Sequence, residues 1–503
     1  MSTALLGLVF RRNAPSHLLH FQFLFFTFLV GLTAGPARAQ VTVYPAPANL
    51  APSEAYRVEV NGKPVFVYQS PVPAAYCSFD MVGPVEIVVK ANRDVRWVDV
   101  RPLSAGIKAT FKDSLITIRL DKPAQLSIEL NGSIKTPLFV FANGPETDKP
   151  KKNDRNVRYF EGGKVHYPGI ITLKSNQSVY VEGGAVVVGV VKAKGAKNVK
   201  VYGRGVLDGT YNRNFNDSLV KTKPADQEVL RVAKGTYQRF LEFIDCEQVT
   251  LAGVTLHNST TWQVVPINCQ NVRIDDLKII SDQASDDGID VVRSRDVQIR
   301  NSFIRTTDDC IVVKAHLNYP RTVVVDGLLV EGCTLWNALW GNAIEIGFEL
   351  NAAEVKNITF RDIDIIHVEA GAVLSIHNAG TGHVRNVLFE DIRIEDARQK
   401  LFDLAIFRSR YSEDGTRDQQ EIDRLYLHGA WDGVLHVPES KRAYHAQFRG
   451  NISNITFRNI QITDGLFPYS VFHGFDQSHN IKDVTIDHLV VHGKKIRNKD
   501  KTK

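Results

Sequence analysis

The chain reads Val387-Leu-Phe389-Glu-Asp391-Ile-Arg-Ile394 in its second half, and this pattern decides the fold. Apolar residues alternate with polar ones on both sides of a turn residue, as they do in short β-strands. Other clear copies begin at Val249, Val272, Ile358, Ile455 and Val484, and weaker copies begin at Val297 and Leu328. From each start to the next, in chain order, the steps are 23, 25, 31, 30, 29, 68 and 29 residues, which is the period of a solenoid.

The solenoid predicted by this repeat is an all-β, right-handed parallel β-helix. Leucine-rich repeats have a similar period, but they need regularly spaced Leu and a helical segment in each unit, and neither is visible here. In a β-helix each coil buries its apolar side chains against the coils above and below, so stacking stabilises the repeats.

The N-terminal residues carry a different signal. Two arginines, Arg11 and Arg12, precede an apolar run from Phe21 to Gly35, and Ala37-Arg38-Ala39 follows as a small-x-small cleavage site. This order predicts a signal peptide over residues 1–39 and a secreted or periplasmic protein. The run is shorter than the roughly 20 apolar residues of a membrane span, and no later segment is predicted to cross a bilayer.

Between Val41 and Gly144 short alternating runs lie close together, with turns at Asn61-Gly62 and Asn131-Gly132. They predict a small β-sandwich domain over residues 40–150, followed by a β-helical catalytic domain over 151–493 and a basic tail over 494–503. The sandwich either contributes to substrate binding or caps the first coil, and both interpretations stay open.

Composition limits the partners and cofactors. The chain has 503 residues, 44% of them hydrophobic, and a net charge of +6, but it contains no nucleic-acid-binding motif and no basic stripe interleaved with aromatic residues. Its five cysteines include two pairs spaced by 23 residues, Cys246 with Cys269 and Cys310 with Cys333, which predicts buried thiols on adjacent coils rather than disulfides. We expect no metal and no cofactor, and a monomer that acts on a polysaccharide.

Two acidic clusters carry the strongest chemical signal, Asp286-Asp287-Gly288-Ile289-Asp290 and Thr307-Asp308-Asp309-Cys310. Asp287 lies 21 residues before Asp308 and 22 before Asp309, so neighbouring coils, about 4.8 Å apart, should bring the three together. Crowded carboxylates supply one protonated acid beside ionised ones, as glycosidic hydrolysis requires. Single turn aspartates, which we expect at Asp276, Asp362 and Asp391, do not explain such a cluster.

Over residues 162–493 the chain resembles the β-helical glycoside hydrolases of families 28 and 49, which include polygalacturonases and dextranases. The segment Ser285-Asp286-Asp287-Gly288-Ile289-Asp290 is similar to Asn-Thr-Asp-Gly-Ile-Asp of family 28, and Asp308-Asp309-Cys310-Ile311 is similar to its Asp-Asp-Cys-Ile. The resemblance implies an inverting mechanism in which Asp308 is the general acid and Asp287 and Asp309 hold and activate the water.

The chain departs from family 28 where that family binds a carboxylate. Gly341-Asn342-Ala343 replaces Gly-His-Gly, and Ser375-Ile376-His377 replaces Arg-Ile-Lys. The coils from Trp340 to Phe348 and the N-terminal sandwich look closer to family 49. The substrate expected from the resemblance is therefore a neutral α-glucan or a pectic polymer. The residues we expect to bind it are Lys314, His316, Trp340, Asn342, Glu345, His377, Arg408, Tyr411 and Trp431.

Several of these residues come from an excursion, roughly Ala397 to Gly450, that accounts for the 68-residue step. Long insertions on one face of a solenoid commonly form a binding wall. A polygalacturonase proper, a polysaccharide lyase with calcium on the acidic cluster, and a noncatalytic carbohydrate-binding β-helix stay open as alternatives.

Overall fold

The computed structural model describes residues 39–70, 74–212, 239–259, 261–283, 285–315, 320–416, 418, 420 and 434–496. Apart from Ala39, the predicted signal peptide lies outside these ranges, and so does the basic tail from residue 497 onward. Within the described ranges, no helix has both the length and the apolar character needed to cross a membrane.

Two sheets enclose one apolar core in the first part of the chain. The six-stranded sheet has the order β1-β5-β11-β10-β7, with β4 paired to β5, and the five-stranded sheet has the order β3-β2-β6-β9-β8. Their strands are β1 (Gln40–Val43), β2 (Tyr56–Val60), β3 (Lys63–Val65), β4 (Val67–Gln69), β5 (Ala75–Val82), β6 (Val85–Ala91), β7 (Val98–Arg101), β8 (Ala109–Lys112), β9 (Leu115–Leu120), β10 (Ala124–Leu130) and β11 (Ser133–Asn143). A short 3₁₀ helix, Leu103–Ala105, follows β7.

The remaining strands form a single 27-stranded sheet that winds into coils. They are β12 (Val157–Phe160), β13 (Val165–Leu173), β14 (Ser178–Val181), β15 (Val186–Lys194), β16 (Lys197–Gly203), β17 (Val206–Asp208), β18 (Leu241–Ile244), β19 (Glu247–Ala252), β20 (Thr255–His257), β21 (Val264–Ile267), β22 (Gln270–Asp275), β23 (Lys278–Ile280), β24 (Ile289–Val292), β25 (Arg295–Arg300), β26 (Phe303–Thr306), β27 (Ile311–Ala315), β28 (Val324–Glu331), β29 (Thr334–Asn337), β30 (Ile344–Leu350), β31 (Glu354–Val368), β32 (Ala372–Asn378), β33 (His383–Ala397), β34 (Lys400–Ile406), β35 (Asn451–Ile462), β36 (Tyr469–His473), β37 (Ile481–Val491) and β38 (Lys494–Lys495). Further 3₁₀ turns span Gly209–Asn212 and Glu439–Lys441, and a short α-helix spans Arg442–Ala446.

Each coil strand pairs in parallel with its counterpart one coil ahead, for example β19 with β22 and β22 with β25. The predicted right-handed parallel β-helix is therefore confirmed. Three faces result. The acid-bearing face contains β18, β21, β24, β27, β30, β32, β34 and β36, and the sandwich-facing face contains β17, β20, β23, β26, β29 and the C-terminal ends of β31 and β33. The third face contains β16, β19, β22, β25, β28, β35, β37 and the N-terminal parts of β31 and β33.

The repeat explains the interior. Phe360, Phe389 and Phe457 occupy the same position in three successive coils, and their rings stack with centroids 5.1 and 5.0 Å apart. Such stacking is favourable beyond the area it buries.

The turn residues Asp362 and Asp391 have φ of 52° and 53°, a left-handed conformation that Asp and Asn tolerate better than most residues. Their expected role as turn residues is confirmed, and all five cysteines are free and buried as predicted.

The sandwich packs along the side of the β-helix, on the sandwich-facing face. The Phe139 ring lies 5.0 Å from Phe303 and 5.9 Å from Trp336, centroid to centroid, within a buried apolar cluster. Polar contacts continue the interface, since Arg101 donates to the Glu395 carboxylate at 2.6 Å. The contacts reach coils far from the first one, so the sandwich covers more than the end of the solenoid.

The excursion after β33 is shorter than predicted. Lys400–Ile406 forms β34 and pairs in register with β32, so these residues belong to a coil of the acid-bearing face. The expected start at Ala397 was wrong, because Leu401, Phe402 and Leu404 of β34 still pack in the core of the β-helix. The excursion proper begins after Ile406 and ends before β35.

Candidate active site

The three candidate catalytic acids meet on the acid-bearing face, at the N-terminal ends of β24 and β27. One carboxylate oxygen from each of Asp287, Asp308 and Asp309 lies within 4.8 Å of the other two. The backbones of the two coils approach closely here, since a Cβ on Gly288 would stand 2.5 Å from the carbonyl oxygen of Cys310. The glycine between the acids therefore allows the two coils to bring their carboxylates together.

A fourth acid, Asp286, holds the turn that carries Asp308. Its buried carboxylate accepts backbone N–H groups from Thr307 at 2.9 Å, Asp308 at 2.8 Å and Gln283 at 2.9 Å. Burial raises the pKa of Asp286 to about 6, although these hydrogen bonds oppose the shift. No separate role was expected for Asp286 from the sequence, and the doubled Asp in its motif was the available signal.

Lys314 contacts carboxylates of the acidic cluster. This does not match its expected role of contacting substrate. Its ammonium is 2.6 Å from Oδ2 of Asp287 and 3.0 Å from Oδ1 of Asp290. The same ammonium lies 3.8 Å from the ring centroid of Trp262. With two carboxylates and an aromatic face around it, Lys314 is a partner of the acidic cluster rather than a clamp for a sugar carboxylate.

Burial and neighbouring negative charge favour the protonated form of two of these acids, Asp308 and Asp309. Burial and the charge of Asp287 raise the pKa of Asp308 to about 7. Burial and the charge of Asp308 raise the pKa of Asp309 well above its usual range. The carboxylate spacing would also suit a cation, but Lys314 already supplies positive charge to Asp287, and we assign no metal.

Asn342, Glu345 and His377 form a buried network behind Asp309, although we expected them to bind substrate. Asp309 accepts the backbone N–H of Asn342 at 2.8 Å, and the Asn342 amide donates to Glu345 at 3.0 Å. His377 lies between Glu345 and Asp403, at 3.0 and 3.1 Å. Burial alone would lower the pKa of His377, but Glu345 and Asp403 raise it to about 10.

The position of this network corrects the expected roles. Asn342, Glu345 and His377 are 6%, 1% and 4% exposed, so their contacts are mainly with one another. Asp403, an acid inside an apolar strand, was missed in the sequence analysis, although a charged residue within Leu401–Leu404 was a usable signal.

Two aromatic residues remain available for sugar contacts. Trp340 is 40% exposed and its backbone N–H donates to the Thr307 carbonyl at 2.6 Å, which places it beside the turn of Asp308. Tyr411 is 36% exposed, and its ring centroid lies 6.0 Å from that of Phe348 on β30. Exposed rings of this kind can stack on sugar faces.

Arg408 lies farther along the acid-bearing face, in the wall of a cavity of about 360 Å³. Its guanidinium donates to the carbonyls of Asp414 at 2.9 Å and His436 at 3.2 Å. Lys400 and Arg442 also line the cavity. None of the three acids lines this cavity. The other two expected binding residues, His316 and Trp431, lie outside the described residues.

The sequence of the β-helix matches a known family. The model described as "Glycosyl hydrolases family 28" matches residues 155–403. Polygalacturonase QRT2 of Arabidopsis thaliana is 24% identical over 227 residues, which cover 44% of this chain and 42% of that protein. The probable exopolygalacturonase B of Aspergillus terreus is 26% identical over 281 residues, 53% of this chain and 54% of that protein. The chain thus spans about half the length of the curated relatives it matches.

The fold extends further than the sequence similarity. The structure of Dex49A from Penicillium minioluteum aligns with a TM-score of 0.61 at 16% identity, covering 91% of this chain and 92% of that one. That likeness includes the sandwich as well as the coils and concerns the fold. Residues 155–403 are therefore similar in sequence to glycosyl hydrolases of family 28, and the chain has the β-helical fold of Dex49A.

Proposed function

We propose that the protein hydrolyses O-glycosidic bonds of a pectic polysaccharide, with Asp308 as the general acid. The observation that carries this proposal is the convergence of Asp287, Asp308 and Asp309 within 4.8 Å on one face of the β-helix. The curated relatives, which are named polygalacturonases, support a pectic substrate.

In the proposed reaction a water bound between Asp287 and Asp309 attacks the anomeric carbon. Its oxygen forms the new bond to carbon, and its proton passes to one of these two carboxylates. The glycosidic carbon–oxygen bond breaks, and the leaving oxygen takes the proton of Asp308. Proton transfer from a positioned acid of this kind contributes about 10²–10⁴-fold to the rate.

Inversion of the anomeric centre is part of the proposal and rests on the family resemblance. Carboxyl groups of inverting enzymes usually stand roughly 6.5–9.5 Å apart, and the closest oxygens here lie within 4.8 Å. Proton NMR of the product in the first seconds of cleavage decides this point, because inversion and retention release opposite anomers.

Export is also proposed, from the pattern of residues 1–39. N-terminal sequencing of the protein recovered from its native host should begin at Gln40.

The test of the hydrolase is reducing-end release from polygalacturonate, dextran and pullulan, with protein starting at Gln40. Asp308→Asn should lower cleavage by about 10²–10⁴-fold. Asp391→Asn is a matched control, because the next coil has Asn459 at the same turn position with φ of 51°. Equal activity of Asp308→Asn and wild type would refute the acid assignment, and cleavage of the glucans alone would refute the pectic substrate.

A further inference from the structure

Lys314 is buried together with two carboxylates, which is unusual for a charged side chain. Lys314, Asp287 and Asp290 are 5%, 2% and 0% exposed. The ammonium lies 2.6 Å from Asp287 and 3.0 Å from Asp290. Buried charges are costly unless they are paired, so this three-residue group, the Lys314 triad, requires its ammonium.

Four further charged residues lie close to the Lys314 triad. Asp308, Asp309 and Glu349 add negative charge near the ammonium, and Arg239 adds positive charge near Asp290. The Arg239 guanidinium lies 4.6 Å from the ring centroid of Trp262, and the Lys314 ammonium lies 3.8 Å from the same centroid. Both cations therefore lie against the same indole ring.

The register of the strands explains how one lysine reaches both acids. Asp290 on β24 pairs with Val312 on β27, and Lys314 follows two residues later on β27. Residues two apart in a strand point to the same face, so Lys314 reaches diagonally to Asp290. Asp287 precedes β24 on the same coil, and its Oδ2 lies closest to the ammonium.

We propose that Lys314 is a positioning residue for hydrolysis: its ammonium holds the Asp287 carboxylate oriented to accept the proton of the attacking water. The inference rests on the proposed function and extends it to a residue that does not contact the reacting atoms. The ammonium fixes one oxygen of Asp287 by charge-assisted hydrogen bonding, which leaves its other oxygen for the water. Asp290 gives the buried ammonium a second carboxyl partner at 3.0 Å.

The test is the pH profile of kcat/KM on polygalacturonate. Lys314→Met should lower kcat/KM and move the acidic limb upward by about one to three pH units, because loss of a cation within a few ångströms disfavours the charged carboxylate. Lys314→Arg keeps the charge and should keep the limb near its wild-type position. The matched control is Lys356→Met on the third face, where Lys356 pairs with Glu354 at 2.5 Å, and it should not move the limb.

A double variant separates positioning from folding. Lys314→Met/Asp290→Asn removes the second buried carboxylate and should regain stability at neutral pH relative to Lys314→Met, while its acidic limb stays displaced. Recovery of both stability and the wild-type limb would overturn the proposal, since Lys314 would then serve Asp290 alone. An unmoved limb in Lys314→Met would overturn it as well.

Failure of the proposed function would be seen separately. If Asp308→Asn retained wild-type cleavage, the acid assignment would fail whatever the Lys314 variants did. Urea unfolding tests the pairing of Lys314 independently of any activity assay, through the free energy of unfolding. The stability deficit of Lys314→Met should grow from acidic to alkaline pH as the unpaired carboxylates must ionise, and a deficit independent of pH would contradict the pairing.

Discussion

At the scale of single residues, the site depends on carboxylates whose surroundings differ although their positions are close. Asp308 is the least buried of the three acids and has its pKa raised to about 7 by burial and by Asp287. Asp287 has the Lys314 ammonium as a partner, and Asp309 has the backbone N–H of Asn342. Different partners around like groups are the usual way to obtain an acid and a base in one site.

The pH dependence of activity follows from the proton on Asp308. A general acid must be protonated, so kcat/KM should fall about tenfold per pH unit once the pH exceeds the pKa of about 7. The same raised pKa means that this group stabilises the fold less as pH rises through 7, because the native state binds its proton more tightly than the unfolded state does. A kcat/KM profile that stays level far into the alkaline range would contradict the role of Asp308.

Asp286 offers a second prediction, on the turn rather than on the chemistry. Asp286→Ala removes the acceptor for three backbone N–H groups and should cost about 1–3 kcal/mol of stability, together with most of the activity. Asp286→Asn keeps one acceptor oxygen and should retain more of both. Urea unfolding and reducing-end assays of the two variants check this, and equal effects would argue against the hydrogen-bond explanation.

At the scale of elements, the coils of the acid-bearing face are so close that the loop after β29 packs against the turn of Asp308. The loop after β29 must pass close to the acids, and Gly341 allows it with φ of 66°. A Cβ there would stand 2.4 Å from the backbone nitrogen of Asp309 and 2.5 Å from Oδ1 of Asp308. The glycine is therefore required by the turn that carries Asp308 and not only by its own backbone conformation.

Gly341→Ala should reduce activity far more than Gly195→Ala. Gly195 has nearly the same φ, 61°, with no atom within 4 Å of the added Cβ. Its substitution should therefore show the backbone cost alone, about 1 kcal/mol. The Gly341 variant adds a collision that displaces Asp308. Comparison of kcat and of urea midpoints for the two variants checks this, and similar losses of kcat would contradict it.

At the scale of the whole molecule, the sandwich and the β-helix share an interior. Phe139 is fully buried against Phe303 and Trp336, and His367 lies between Glu129 of the sandwich and Asp396 of the helix, at 2.9 and 3.0 Å. Such a buried interface couples the stability of the two parts.

Phe139→Ala should therefore destabilise the whole chain by about 3–5 kcal/mol. Unfolding followed by urea should stay a single transition at lower midpoint, because the sandwich-facing face loses its cover when the sandwich unfolds. Phe111→Ala, at a ring that is 42% exposed, is the control and should change little. Two separate transitions in the wild-type protein would show that the parts unfold independently.

The fold and the meeting of the acids could both be predicted from the repeat in the sequence. The period is repeated in every coil, so Phe360, Phe389 and Phe457 reach one column whatever the distant parts of the chain do. Asp287 and Asp308 meet because they lie about one coil apart, which is a property of local spacing. The buried cysteines follow from the same register.

Which of the expected binding residues are exposed on the acid-bearing face could not be predicted from the sequence, because it depends on how the coils pack. Lys314, Asn342, Glu345 and His377 occur at positions that suit substrate binding in a pattern, but contacts with other coils bury them as partners of the acids. The position of the sandwich was also undetermined, because Glu129 and His367 are 238 residues apart in the chain. Contacts of that kind depend on side chains that meet only after the coils have stacked, and no local period encodes them.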